Sequence, residues 1–380
     1  MRICFVLEYY YPHVGGAERL FQNLAEGLVR KGHHCDVVTV RLPETPAEEV
    51  VGGVHIHRVW VPQKGDRYWF TLFALPQVWK YTKRADIVQT TTYNGAPPAW
   101  LSAKARGKPV VLFVHEVIGK RWHLLGIGTV MSLMYRAFEN LILSLPFDAF
   151  MCNSKSTLED AKNWGVKEEK LFFAYPGIDH TIFDPSKNGK RREEIRKTLG
   201  VEEKFVYLYF GRPGFTKGID YLVRAIPLIK RRIPDSVALL ILAKRPEKGF
   251  ERVASLIDEL GLKRGEDVLI LDPLPVEELP YYIKASDCVV VPSLTEGFGF
   301  TCVEACTMEV PVVASSAGSL PEVVSGRFVL VEPANPQALA EGVEKVYHGE
   351  YNSTEKRLFL WDDMVNAHIE LYERLLRKRR

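Results

Sequence analysis

Two glutamates bracket a glycine-aromatic loop in the segment Glu296-Gly297-Phe298-Gly299-Phe300-Thr301-Cys302-Val303-Glu304. The loop follows the apolar run Val289-Val290-Val291 across a Pro-Ser-Leu-Thr turn, so Glu296 stands where a buried strand delivers its chain to the end of a sheet. Thr301 to Met308 then reads as a helix. A helix beginning behind a Gly-x-Gly loop aims backbone N–H groups and the positive end of its dipole at whatever binds there, so the ligand should carry an anion. Glu304, inside the helix, and Glu296, outside the loop, are placed to reach ligand hydroxyls. One pocket would thus meet both phosphate and sugar.

A second constellation, Gly211-Arg212-Pro213-Gly214-Phe215-Thr216-Lys217-Gly218, follows the apolar stretch Phe205-Val206-Tyr207-Leu208-Tyr209-Phe210. Two permanent cations on a short loop after a strand, with three glycines that let the backbone approach, suit a diphosphate. Taken alone, the same residues also describe a solvated turn. Gly15 and Gly16 lie between the first strand and a helix, where the backbone can close against phosphate or simply turn. His115 lies just beyond the strand Val110-Val111-Leu112-Phe113-Val114, on the edge where open sheets bind ligands. A satisfied structural histidine is the competing reading there.

Short apolar strands alternate with amphipathic helices along the whole chain, the pattern of parallel sheets with crossover helices. Strands are expected at Ile3-Leu7, His34-Val40, His55-Val61, Ile87-Thr91, Val110-Val114 and Ala149-Cys152 in the first half. The second half repeats the scheme at Phe205-Phe210, Val237-Leu242, Asp267-Leu271, Cys288-Val291, Val312-Ala314 and Phe328-Val331. Ala17 to Lys31 carries one apolar face of Leu20, Phe21, Leu24, Ala25 and Leu28, and Gly32 stops it. Residues 184–200 are charged and contain Pro185, Gly189 and Gly200, which predicts a linker between two domains, 1–183 and 201–360. Trp361 to Leu376 is amphipathic, with Val365, Ile369, Tyr372 and Leu376 on one side.

In their order and spacing, the Gly-Arg-x4-Lys-Gly loop and the Glu-x7-Glu loop, about 80 residues apart, resemble the donor site of the retaining glycosyltransferases of family 4, which have the GT-B fold. Gly15-Gly16-Ala17-Glu18, Tyr175-Pro176-Gly177-Ile178-Asp179 and Gly318-Ser319-Leu320-Pro321-Glu322-Val323-Val324 extend the resemblance over nearly the whole chain. It implies an α/β architecture of two Rossmann-like domains whose parallel sheets face each other across a cleft, with the terminal helix, 361–380, crossing back onto the first domain. It further implies that Arg212 and Lys217 bind the diphosphate of a nucleotide-sugar donor, that Glu304 holds the ribose and Glu296 the transferred sugar. The backbone of Gly297, Phe298, Gly299, Phe300 and Thr301 would line sugar and phosphates, with Gly15, Gly16 and His115 facing the donor from the other domain. A nucleoside diphosphate leaves easily, so such a site mainly needs preorganised cations and N–H dipoles where charge develops. Glu296 is accordingly read as a group that positions the sugar, not as a covalent nucleophile. The rival readings are a phosphorylase or epimerase on the same architecture, and a non-catalytic nucleotide-sugar-binding scaffold.

The chain departs from the family after the strand Val237-Leu242, where Ala243-Lys244-Arg245-Pro246-Glu247-Lys248-Gly249 replaces a glycine-rich turn. The extra cations Lys244 and Arg245 are expected to face water, with contact to phosphate as the alternative. Asp272-Pro273-Leu274-Pro275, near where the family grips the base, holds no side chain that distinguishes uracil, guanine or adenine. No Asp-x-Asp triplet occurs, so no metal cofactor is expected.

With 47% hydrophobic and 26% charged residues, the 380-residue chain describes a globular protein with ample core. A net charge of +3 is too small to argue for nucleic acid. The basic clusters Lys190-Arg191-Arg192, Lys230-Arg231-Arg232 and Arg377-Lys378-Arg379-Arg380 are expected to be solvated faces and a frayed tail, with an anionic membrane as the alternative contact. Six cysteines without metal spacing read as buried thiols of a reducing compartment. Met1 to Leu7 meets Glu8 at once and no apolar run approaches the roughly 20 residues that span a bilayer, so a cytoplasmic or peripheral protein is expected. The apolar region Trp122 to Leu145 is expected to pack in the core. An acceptor-side surface that meets a lipid-linked or membrane-bound acceptor, as opposed to a sugar or small molecule, is the alternative.

Overall fold

The computed structural model describes residues 1–13, 15–187, 189–244 and 247–379. The chain divides into two compact units. One is built from residues 1–123, 127–177 and 359–380, the other chiefly from 178–358.

In the first unit the strands are β1 (Arg2–Val6), β2 (His34–Val40), β3 (Glu48–Val51), β4 (Val54–Val59), β5 (Ile87–Thr91), β6 (Val110–Val114), β7 (Ala149–Cys152) and β8 (Leu171–Phe173). They lie in the order β3-β4-β2-β1-β5-β6-β7-β8. All neighbours are parallel except β3, which runs antiparallel to β4 at the edge. The central strands are buried on both faces, which is why they read as continuous apolar runs without polar alternation. The helix Gly16–Arg30 sets Leu20, Phe21, Leu24 and Leu28 against the sheet and ends before Gly32, whose φ of +83° suits glycine.

The second unit holds β9 (Phe205–Gly211), β10 (Ser236–Leu242), β11 (Val268–Leu271), β12 (Cys288–Val291), β13 (Val312–Ser315), β14 (Arg327–Val331) and β15 (Asn352–Ser353), in the order β11-β10-β9-β12-β13-β14-β15. Again the pairing is parallel except at an edge, where β15 runs against β14. The twelve expected strands are present, with bounds shifted by at most two residues. The sequence reading missed β3, β8 and β15, short edge strands with two to four residues each, too brief to carry a period.

The segment expected as a linker is instead a helix. Gly189–Leu199 is stitched to the second unit by Arg192 and Arg196, whose guanidinium groups bind Asp287 at 2.7 and 3.1 Å. Asp287 also accepts the Val206 N–H at 2.7 Å, so one carboxylate ties this helix to β9. Arg192 and Arg196 therefore serve packing, and the expectation of a solvated face fails for Arg192. It fails also for Lys230, 3.4 Å from Asp267, and for Arg232, which pairs with Glu344.

The chain passes between units at Gly177 and again before Phe359. A Cβ on Gly177 would lie 2.2 Å from the Trp361 nitrogen, so the Tyr175-Pro176-Gly177 motif marks a close backbone approach. The terminal helix Trp361–Arg377 belongs to the first unit. Its buried face is Met364, Val365, His368, Leu371, Tyr372 and Leu375, and Ile369 and Leu376 are only half-buried. The Tyr372 hydroxyl bonds Gln89 on β5, and Arg379 in the expected frayed tail reaches Asp148 at 3.1 Å.

Candidate functional site

In the second unit β9 pairs with β10 on one side and β12 on the other, so the direction of winding reverses between β9 and β12. The two loops singled out by the sequence both leave the carboxyl ends of these neighbouring strands. Open α/β sheets bind ligands at such a switch point. The loops touch: the Lys217 ammonium lies 2.9 and 2.8 Å from the two Glu296 carboxylate oxygens. Backbone bonding joins them as well, the Leu294 N–H donating to the Thr216 carbonyl at 2.7 Å.

Glycines permit this closeness. Gly218, at φ +64°, packs so tightly that a Cβ would fall 1.9 Å from the Pro292 carbonyl oxygen. Gly318, at φ +53°, would clash in the same way with the Glu296 backbone, 2.2 Å from its oxygen. Ser319 donates both its N–H, at 3.0 Å, and its hydroxyl, at 3.2 Å, to that same Glu296 carbonyl. The Ser293 hydroxyl donates to the Glu296 side chain at 3.1 Å. Glu296 is thus held at carbonyl and carboxylate, with its side chain 13% exposed against 32% for Lys217. The motif Gly318-Ser319 is therefore a brace for Glu296. Ser293 had no signal in the sequence beyond its place three residues before Glu296.

The helix of the acidic loop runs Phe300–Thr307, one residue earlier than expected, with Gly299 at φ +90° as its N-cap. Its positive end lies at the Gly297-Phe298-Gly299 turn. Phe298 is buried and packs edge to face with Phe300, ring centres 5.0 Å apart, while Thr301 is half-buried. Glu304 is buried inside the helix at 5% exposed, unlike Glu296 at the loop. Arg212 is exposed, and its carbonyl accepts the Tyr209 hydroxyl at 3.0 Å. Lys244 pairs with Asp272 at 2.9 Å in water-exposed surroundings, as expected, while Arg245 lies outside the described residues.

In the first unit Gly16 opens the helix Gly16–Arg30 and Gly15 is its N-cap, extended at φ −170°. The three atoms nearest a Cβ on Gly15 all belong to the Glu18 carboxylate, a side chain that can move. Glu18 reaches His13 at 3.2 Å. His115 follows β6 and sits against the rings of Phe113 and Phe21, at 4.9 and 5.8 Å. Burial pushes its imidazole down to about 4 against the weaker opposing pull of Glu18, so the ring is neutral at pH 7. Its Nε2 is buried and has no hydrogen-bond partner among the described residues. A neutral ring so placed offers one donor or acceptor to a ligand hydroxyl.

Sequence reasoning passed over Glu8, at the carboxyl end of β1. It accepts the Asn94 N–H at 2.6 Å, and burial raises its pKa against that bond and the nearby Arg67. A charge directly after an apolar strand was the available signal. All six cysteines are buried thiols.

Two largely parallel α/β sheets, one in each unit, have the topology of the GT-B fold. Residues 14–182 match the family model Glycosyltransferase Family 4 and residues 190–358 match Glycosyl transferases group 1, so the chain belongs to these glycosyltransferases and is an enzyme of that class. It is 28% identical to an uncharacterized glycosyltransferase of Methanocaldococcus jannaschii, over 98% of each chain. It is 25% identical to a D-inositol 3-phosphate glycosyltransferase of Thermobifida fusca, over 87% of this chain and 80% of that one. The fold matches Anabaena HepE in complex with UDP-glucose, with a TM-score of 0.73, 19% identity and coverage of 100% and 99%.

Proposed function

We propose that this glycosyltransferase moves a sugar from a nucleotide-sugar donor, a UDP-sugar foremost, to an acceptor hydroxyl with retention at the anomeric carbon and without a metal. The observation that carries the reading is the Lys217–Glu296 pair, which joins the basic and the acidic-glycine loops at the switch point of one sheet. Lys217 and Arg212 take the donor diphosphate, neutralising the charge that develops as it leaves. Glu296, fixed at carbonyl and carboxylate, receives the sugar hydroxyls, with the backbone of Gly297 to Thr301 lining sugar and phosphate. Glu304 binds the ribose. In this reading the backbone of Gly15 and Gly16 takes donor phosphate and the neutral His115 takes the sugar. UDP is favoured because the structurally similar Anabaena protein holds UDP-glucose. The acceptor is a sugar, a lipid-linked or a small-molecule hydroxyl, and the enzyme works in the cytoplasm.

Calorimetry with UDP, GDP and ADP, followed by donor hydrolysis without acceptor, tests this. UDP should bind wild type and bind Lys217→Ala about tenfold or more weakly. Identical affinities for the two proteins, or no cleavage of any UDP-, GDP- or ADP-sugar, would overturn it. NMR of the product anomer checks retention, and turnover abolished by EDTA and restored by Mg²⁺ would refute metal independence.

A further inference from the structure

The region Trp122 to Leu145, expected in the core, is only half there. Its helix Thr129–Ser144 buries Ser132, Glu139, Ile142 and Leu143, while Val130 (71% exposed), Leu133 (59%), Met134 (60%) and Leu141 (57%) form a stripe on the other side. Leu133, Met134 and Leu141 follow Val130 by 3, 4 and 11 positions, so the four share one face. The helix Asp66–Phe73 presents Tyr68, Trp69, Leu72 (65%) and Phe73 in the same way. The two helices are neighbours within the first unit, because the Tyr68 and Tyr135 hydroxyls bond each other.

The protein invests structure in holding this region. Glu139, buried at the helix back, accepts the N–H groups of Ile118 and Gly119 at 2.8 and 2.7 Å and the Trp122 indole at 3.0 Å. The exposed stripe is therefore mounted on a fixed base. Single exposed apolar residues are ordinary, but two adjacent apolar helical faces mark an interaction surface.

The charges around it select the partner. Residues 60–73 and 118–145 together carry five Lys and Arg against two acids, Asp66 and the buried Glu139, although the whole chain has a net charge of only +3. Lys64 and Arg67 flank the start of the helix Asp66–Phe73, Lys120 precedes Trp122, and all three are exposed. Trp60, Tyr68 and Trp69, all exposed, are the amphipathic rings that favour the boundary between lipid headgroups and acyl chains. Cations beside such rings and an apolar stripe complement an anionic bilayer, and mutual repulsion opposes pairing with a second copy of the same basic face.

We propose that the first unit docks on anionic lipid through the helices Asp66–Phe73 and Thr129–Ser144, with their apolar residues entering the headgroup region and the surrounding Lys and Arg meeting lipid phosphates. The docking stands apart from the donor reading, and its test does not use turnover. The full-length protein is floated with vesicles of pure phosphatidylcholine and with vesicles containing phosphatidylglycerol, beside Leu133→Glu/Met134→Glu, Lys64→Glu/Lys120→Glu and, as a control on the second unit, Leu358→Glu. Wild type and the control should float with the anionic vesicles and bind neutral ones about tenfold less, and each double variant should lose about tenfold or more. Circular dichroism melting of the same preparations verifies that the variants are folded. The proposal is overturned if wild type stays unbound with anionic vesicles, if both double variants float like wild type, or if wild type is a lipid-free dimer that Leu133→Glu/Met134→Glu dissociates.

Discussion

The ligand-facing loops of the two units are built on opposite electrostatic plans. In the second unit a lysine and a glutamate are pressed together as an ion pair at 2.8 Å, braced by glycines that touch backbone. In the first unit, polar groups are pushed toward neutrality: desolvation makes His115 hard to protonate and Glu8 easy to protonate. Its Gly15 faces a movable carboxylate. Full charges suit a group whose own charge grows during reaction, whereas neutral donors and acceptors suit hydroxyls. On the proposed reading, the charged pair serves the diphosphate and the sugar beside it, and the neutral His115 offers a hydrogen bond to a hydroxyl.

The contrast is most severely tested at the glycines. Gly218→Ala should lower stability by about 2–4 kcal/mol, because the left-handed φ and the Pro292 carbonyl both resist a Cβ. Gly15→Ala, where backbone is extended and Glu18 can swing, should change stability by less than about 1 kcal/mol. Urea unfolding of both variants decides, and equal losses would erase the distinction.

Next in size is acid sensitivity. The imidazole of His368, wholly buried with Nδ1 2.8 Å from the Met364 carbonyl, is pushed down to about 4 by desolvation, as is that of His115. Both folded-state values lie below the ordinary 6.5, so the stabilisation is fully present above pH 6.5 and drains away as pH falls toward 4. For His368 this amounts to about 3 kcal/mol. Melting curves across that window should show a shallower decline in His368→Leu than in wild type, and parallel curves would remove the role.

Lys217→Ala should reduce kcat/KM by about one to two decades, since a charge-assisted bond of roughly 1.5–3 kcal/mol is lost. Within the acidic loop, Glu304→Ala should weaken nucleoside diphosphate binding, while Glu296→Ala should harm turnover more than affinity. Calorimetry beside steady-state kinetics separates them, and equal effects would undo the role assignment. The smallest change is expected for Lys244→Ala, whose exposed pair with Asp272 is worth at most about 1 kcal/mol.

Much of this arrangement was legible beforehand. Central strands such as Val110–Val114 and Cys288–Val291 are apolar on both faces and announce themselves in the sequence. The loops after Gly211 and before Glu304 were recognisable because glycine, lysine and glutamate crowd together directly after such strands. The linker was misread because Pro, Gly and charge also describe a short surface helix, and only Asp287, far along the chain, reveals that Arg192 and Arg196 are anchored. The helix Thr129–Ser144 was misread because apolar content does not say which side is covered.

The chain's one-dimensional pattern determined the elements, their alternation and the chemistry of the loops, since these follow from local periodicity, side-chain type and backbone freedom. Contact between Lys217 and Glu296, 79 positions apart, depended on β12 pairing with β9, as did the docking of Gly218 on Pro292. Likewise, the exposure of Val130 and Leu133 depended on what the fold placed over that helix. Such outcomes belong to tertiary structure because burial and proximity are properties of whichever distant segments meet, and no short stretch of residues contains its own neighbours.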